Sequence, residues 1–224
     1  ELAGALALPK SPVHNHLKTL ERLGFLVPEN GRYRLGTKYL QLGREARNDH
    51  ELVVHGRETL EQLEAETGTY GQLVVEENGI GAILLATRWE AGGPTARHVY
   101  PTHAALHTNA PGKAILAQLP EAELSDRFER MSFEPVTEHT ITDPDELRAE
   151  IEAGRERGYY FNREESLRGT HAVGVAICGP DGDVIGGLSV TGPSHRLNGE
   201  RLESELPDLL LGAANEPELN IAHS

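Results

Sequence analysis

Apolar residues at Val13, Leu17, Leu20 and Leu23 recur every three or four positions, which predicts a helix with one oily face. The opposite face holds His14, Asn15, Lys18, Thr19 and Arg22 and is polar and mostly basic. Ser11 stands where a helix N-cap is expected. Pro12 follows at the first helical position, where a missing N–H costs nothing. Gly24 predicts the helix end. Upstream, Leu2, Ala5, Leu6 and Leu8 predict a preceding helix. Downstream, the apolar runs at residues 25–27 and 33–35 flank Asn30-Gly31, a strong hairpin signal. Helix, turn, basic helix and hairpin together predict a winged helix-turn-helix over residues 1–36. Agreement among consecutive elements sets this reading apart from an ordinary amphipathic surface helix. A winged helix has a further helix ahead of these. The chain opens at Glu1, partway into the module, so a natural N-terminus is expected upstream.

Beyond the hairpin, Tyr39, Leu40 and Leu42 predict a linker helix over residues 37–48. Asn48-Asp49 is the expected cap of a second helix running from residue 50 to about residue 67, with Gly68 closing it. The pattern then turns β-rich. Residues 70–76 and 80–89 predict strands around Asn78-Gly79, and residues 99–102 another. Residues 111–119, 120–131 and 143–157 predict helices, the last started by Asp143-Pro144. Residues 159–162, 171–178 and 184–191 predict strands, the last two joined at Gly179-Pro180-Asp181-Gly182. A helix is expected from Asn198, interrupted near Pro207. The fold class is α+β: after the winged helix and linker, residues 49–224 form a domain whose largely antiparallel sheet is packed by helices.

Charge sharpens the division. The chain of 224 residues has a net charge of −14. Residues 1–47 hold eight Lys/Arg against four acids, while the remainder holds 13 basic and 31 acidic residues. A basic end on an acidic body is the footprint of a DNA-binding segment joined to something else. The acidic excess suggests salt adaptation. The single cysteine, Cys178, excludes an internal disulfide and a multi-Cys zinc site. No membrane span or secretory leader is visible, so a cytoplasmic location is expected.

Four stretches together resemble the IclR family of transcriptional regulators. LPKSPVHNHLKTLERLGFL is similar to its recognition-helix segment, departing at Pro12, where Thr is usual, and at Asn15, where Arg is common. YRLGTKYLQLG is similar to the wing-to-linker segment. LHTNAPGKAILAQLP and GYYFNREESLRGTHAVGVAICGPDGDVIGGLSVTGPSHRL are similar to its two effector-domain signatures. The resemblance implies a GAF-like effector-binding domain and a homodimer or homotetramer on palindromic double-stranded DNA. It also implies a small-molecule effector, often a carboxylate.

Chemistry points to the same region. Pro111-Gly112 opens a helix, so unpaired amides are expected there as an anion site. Ser189 and Thr191, two apart on a strand, face one side. The resemblance implies a ligand between these segments and the loop from Asn162. The matching positions are Ala110, Pro111, Asn162, Ala172, Ser189 and Thr191, with Asn109 and Glu165 beside them. Two positions depart: Asn162 stands where an acid is frequent, and Ala172 where Cys sometimes occurs. For DNA the expected contacts are Ser11, His14, Asn15, His16, Lys18, Thr19 and Arg22, with Arg32 and Arg34 on the wing. His14 and Asn15 are expected at base edges and the cations at phosphates.

Other chemistries fit less well. His98, His103 and His107 lack metal-site spacing, so no metal and no cofactor is expected. His107 reads as a packing or hydrogen-bonding residue and not as a ligand contact. Glu164-Glu165 lacks a paired nucleophile or second carboxylate and reads as a solvated pair, so no enzyme activity is expected. The turn at residues 179–182 has no following Gly-Lys-Ser/Thr and is not a phosphate loop. The alternatives are a metabolite-binding sensor or enzyme with a vestigial winged helix, and a protein-interaction module.

Overall fold

The computed structural model describes residues 2–87 and 102–223. They separate into two compact units, residues 1–49 and 50–224.

The first unit holds helices α1 (Leu2–Ala5) and α2 (Lys10–Arg22), strands β1 (Leu26–Glu29) and β2 (Arg32–Leu35), and helix α3 (Lys38–Asn48). α2 begins one residue before the expected cap. Pro9 takes the cap position and no side chain closes it. Ser11 and Pro12 therefore lie inside the first turn, whose N–H groups have no partner within the helix, so Pro12 is tolerated there. At the other end the Gly24 N–H donates to the Glu21 carbonyl at 3.0 Å and the Phe25 N–H to Leu20 at 2.9 Å. This is a Schellman closure, and it needs the left-handed Gly24, at φ +81°. Asn30 and Gly31 have φ values of 50° and 76°, the type I′ turn that matches the twist of paired strands. β1 and β2 pair antiparallel from Leu26↔Leu35 to Glu29↔Arg32. Only Val13 of α2 is buried. Phe25 and Tyr39 meet edge to face, 5.2 Å between ring centres.

The second unit opens with α4 (Glu51–Thr67). Its cap is His50, whose Nδ1 accepts from the Leu52 N–H at 3.2 Å, and not Asn48-Asp49. Those two residues are used by the preceding helix, as its last residue and its C-cap. Strands β3 (Tyr70–Glu77), β4 (Ile80–Ala86) and β5 (His103–Ala105) follow. Of the strand expected over residues 99–102, and of the end of β4 near Trp89, residues 88–101 lie outside the described residues. A 3₁₀ turn (Leu106–Thr108) leads into α5 (Ala110–Gln118), α6 (Glu121–Arg130) and α7 (Pro144–Arg157). Asp143 caps α7, accepting from the Asp145 N–H at 2.8 Å. Then come β6 (Tyr160–Arg163), β7 (Thr170–Cys178) and β8 (Val184–Pro193). The final helix is interrupted near Pro207 as expected: a π-helical turn (Arg201–Glu205) precedes α8 (Leu206–Ala222), and Pro207 sits in the first turn of α8.

The second unit's strands make one antiparallel sheet in the order β5-β4-β3-β8-β7-β6. Side chains alternate across it. Leu73, Val175, Ile177 and Leu188 pack with Leu52, Leu60, Leu206 and Leu210 from α4 and α8. Leu106, Ala114, Leu116, Leu124, Leu147, Ile151 and Tyr160 form a second core among α5, α6 and α7, with Ala176 against it. The sheet thus lies between two helical layers. α5 comes so close that a Cβ on Gly187 would lie 2.8 Å from the Pro111 Cβ. Among the described residues, no helix is long and apolar enough to cross a membrane.

Candidate functional site

In the first unit the candidate nucleic-acid residues are all exposed. Ser11, His14, Asn15, His16, Lys18, Thr19 and Arg22 are exposed, whereas Val13 is buried and Leu17 and Leu20 are half-buried. Arg32 and Arg34 are exposed on β2. Lys18 Nζ lies 2.9 Å from the Glu21 carboxylate, and Arg34 Nε lies 3.8 Å from Glu29. Both pairs are solvent-exposed, so an anionic partner competes for either cation at little cost.

In the second unit a cavity of about 260 Å³ opens between the sheet and the start of α5. Its floor is Gln72 and Val74 of β3, Gly81 and Ile83 of β4, Ala172 of β7 and Thr191 of β8. The register explains the set: Gln72 pairs with Ser189, Val74 with Gly187 and Ala172 with Thr191, all on the face turned to α5. One wall is β5, the 3₁₀ residue Thr108 and the α5 start at Asn109, Ala110 and Pro111. The roof is Val136, from the α6–α7 connection, with Ser166 and Leu167 from the β6–β7 loop.

Six of the eight expected effector residues line this cavity: Asn109, Ala110, Pro111, Asn162, Ala172 and Thr191. Ser189 and Glu165 do not. Ser189 shares the face of Thr191, but α5 lies over it. It is 0% exposed, and its Oγ has no hydrogen-bond partner among the described residues. Glu165 is buried in an ion pair, with Lys113 Nζ at 2.8 and 2.9 Å from its two carboxylate oxygens. The expected solvated acid pair is therefore absent. Glu164, at φ +67°, instead closes the loop by accepting from the Gly169 N–H at 2.7 Å.

Two polar residues are already occupied. Asn162 Nδ2 donates to the Thr108 carbonyl at 2.9 Å and to Ser166 Oγ at 2.7 Å, while its Oδ1 accepts from the Glu165 N–H at 2.9 Å. Asn162 thus fixes the shape of the cavity. Asn109 caps α5, its Oδ1 accepting from the Gly112 N–H at 2.7 Å. Pro111 has no N–H, and the Lys113 N–H reaches the Asn109 carbonyl at 3.1 Å. The expected row of unpaired amides is largely consumed, leaving Ala110 as the amide at that turn. Gln72, Thr108, Ser166 and His103 were not expected at the site. Only Gln72 gave a signal, a polar residue inside an otherwise apolar strand run.

His107 faces away from this cavity, toward a neighbouring groove, and packs 5.3 Å from the Phe133 ring centre. Burial pushes its imidazole below the ordinary range and the Lys113 charge adds to that, while the Glu134 backbone opposes. His103 lines the wall, its Nδ1 3.1 Å from Thr102 Oγ1; His98 lies outside the described residues. Among the described residues no group of three or more His, Cys, Asp or Glu is placed to hold a metal ion.

A model of the bacterial transcriptional regulator IclR C-terminal family matches residues 45–218. The chain is 34% identical over 224 residues to a probable HTH-type transcriptional regulator, ArcR, of Halobacterium salinarum, covering 99% of this chain and 85% of that protein. It is 26% identical over 225 residues to the transcriptional repressor IclR of Escherichia coli, covering 96% of this chain and 80% of that protein. Among solved structures, the IclR protein of Thermotoga maritima superposes with a TM-score of 0.78 at 26% identity, over 99% of this chain and 89% of that one.

Proposed function

The chain belongs to the IclR family of transcriptional regulators, and from that premise we propose how its two units divide the work. Residues 1–36 act as a winged helix-turn-helix on double-stranded DNA, residues 37–48 as a linker, and residues 49–224 as the effector-binding and oligomerisation domain. His14 and Asn15 read base edges from the first turns of α2. Ser11, His16 and Thr19 support them, and Lys18, Arg22, Arg32 and Arg34 grip phosphate. A homodimer or homotetramer places two such helices on a palindromic operator. This reading is supported by the exposed polar face of α2, set over a buried Val13, on a unit with a net basic charge.

The effector is a small organic acid held in the cavity over β3 and β8. Thr191, Ser166 and Gln72 supply hydrogen-bonding groups, and the Ala110 amide lies at the positive end of α5. Val74, Ile83, Val136 and Leu167 take its carbon body. Binding favours one arrangement of the effector domains, and residues 37–48 relay it to the spacing of the recognition helices. The chemistry takes place in the cytoplasm and no cofactor takes part. The observation that carries the effector reading is the cavity itself, enclosed between the sheet, the start of α5, the α6–α7 connection and the β6–β7 loop, with polar groups set among apolar ones.

A thermal-shift screen of the whole chain in high KCl tests it, with short keto acids, hydroxy acids and aromatic acids as the panel. One class is expected to raise the midpoint, and Thr191→Val is expected to abolish that rise. Equal response to all three classes, or to none, contradicts an organic-acid effector.

A further inference from the structure

Lys113 stands in the first turns of α5, and its side chain is 1% exposed against 8% for its partner Glu165. The ammonium touches both carboxylate oxygens. A pair buried this fully is a poor source of stability, because desolvation offsets the attraction, and apolar side chains of similar size do as well. What such a pair fixes is position.

Glu165 is the knot of the cavity roof. Its N–H donates to Asn162 Oδ1 at 2.9 Å, and its carbonyl accepts from Thr140 Oγ1 at 2.7 Å. The neighbouring Glu164 carbonyl accepts from Thr137 Oγ1 at 2.7 Å. Arg168 Nε meets the Glu138 carboxylate at 2.6 Å. These bonds sew the β6–β7 loop to the α6–α7 connection, the two segments that supply Ser166, Leu167 and Val136 to the cavity. The sewn roof then needs a tie to the floor. Asn162 gives one at the edge of the loop, through Thr108. Lys113 gives the other, from inside α5 to the middle of the roof.

We propose that Lys113 and Glu165 are a positioning pair for the effector site, a charge latch that sets the roof over the cavity. The proposal rests on reading that cavity as the effector site. The latch holds the loop at one height above Thr191 and Ala172, so it governs how tightly a ligand is enclosed and contributes little to global stability.

The test is the double variant Lys113→Met/Glu165→Leu in the whole chain, which removes both charges at similar volume. Urea unfolding and residue-resolved amide hydrogen exchange are measured together. The latch predicts an unfolding midpoint equal to wild type or higher. It also predicts exchange at least tenfold faster at Glu164, Glu165 and Gly169, with β7 and β8 amides unchanged. Wild-type exchange in the loop, or faster exchange spread evenly through the unit, overturns it. If the double variant does not fold, Glu165→Gln is read by loop exchange relative to β7 and β8 alone, since it leaves Lys113 unpaired and lowers the midpoint. In a second arm, calorimetry with sodium pyruvate is expected to show at least tenfold weaker binding in the variant, and equal binding also overturns the latch. If the wild type binds no organic acid, the effector reading falls, and the exchange rates alone decide the latch.

Discussion

Removing one member of a buried ion pair leaves the other charge in a dry place. Glu165→Leu alone is therefore expected to cost about 3–5 kcal/mol, far more than the double variant with Lys113→Met. Urea unfolding of both proteins checks this, and equal losses would contradict it. His107 gives a second prediction at this scale. Burial, with the Lys113 charge, holds its pKa below the ordinary 6.5, so the folded chain binds this proton more weakly than the unfolded chain. Its contribution to stability is full above the unfolded value and is lost as pH falls below it. His107→Gln is expected to flatten part of the fall in unfolding midpoint between about pH 7 and pH 5. An unchanged slope would contradict a neutral, buried imidazole. At this scale the sequence was partly legible. The period-two argument put Ser189 and Thr191 on one face, and both lie on it. What it did not convey is the helix above: α5 covers Ser189 and leaves Thr191 beside the cavity. Spacing likewise showed that Glu164 and Glu165 are adjacent, but not that Lys113, 52 residues from Glu165, neutralises one of them.

Elements were more legible than residues because their signals are local. Asn30-Gly31 and Asn78-Gly79 form the expected turns, with positive φ at both residues of each pair. Asp143 and Gly158 bound α7 as its cap and its left-handed stop. The misread caps share one cause. At α2 and α4 more than one residue could serve, and the neighbouring structure decides. Pro9 excludes an earlier helical residue, and α3 has already used Asn48 and Asp49. The α5 cap gives a prediction: Asn109→Ala removes the acceptor for the Gly112 N–H, with an expected loss of about 1 kcal/mol by urea unfolding. A loss near zero would show that the cap bond is replaced by water. The hairpin gives another. Arg32→Ala/Arg34→Ala is expected to weaken binding about equally on all DNA sequences and to reduce the salt slope by about 2, measured by anisotropy at several KCl concentrations. Sequence-selective weakening would mean that these residues read bases and do not merely grip phosphate.

At the scale of the whole molecule, the charge asymmetry is the main physical feature. A net −14 chain repels DNA, yet its surplus of cations lies within the first 47 residues. Acidic bodies of this kind gain from screening, so the unfolding midpoint is expected to rise between low salt and molar KCl. A midpoint that stays flat or falls would remove the salt-adaptation reading. Molar salt also weakens phosphate contacts steeply, which places more of the recognition on base edges and on paired half-sites. The α+β class of the second unit and the family were legible from the order of the motifs along the chain. The roof of the cavity was not, because it is assembled from segments whose hydroxyl-to-carbonyl bonds join residues 25 and 27 positions apart and leave no periodic trace. We propose that this chain reads DNA as a symmetric oligomer through α2. In vitro selection from a random duplex library, using the whole chain in high KCl, tests it most directly. Enrichment of an inverted repeat is expected, with half-sites that change when Asn15→Ala replaces the wild type. Retention of DNA with no sequence enriched, or of none at all, would contradict it.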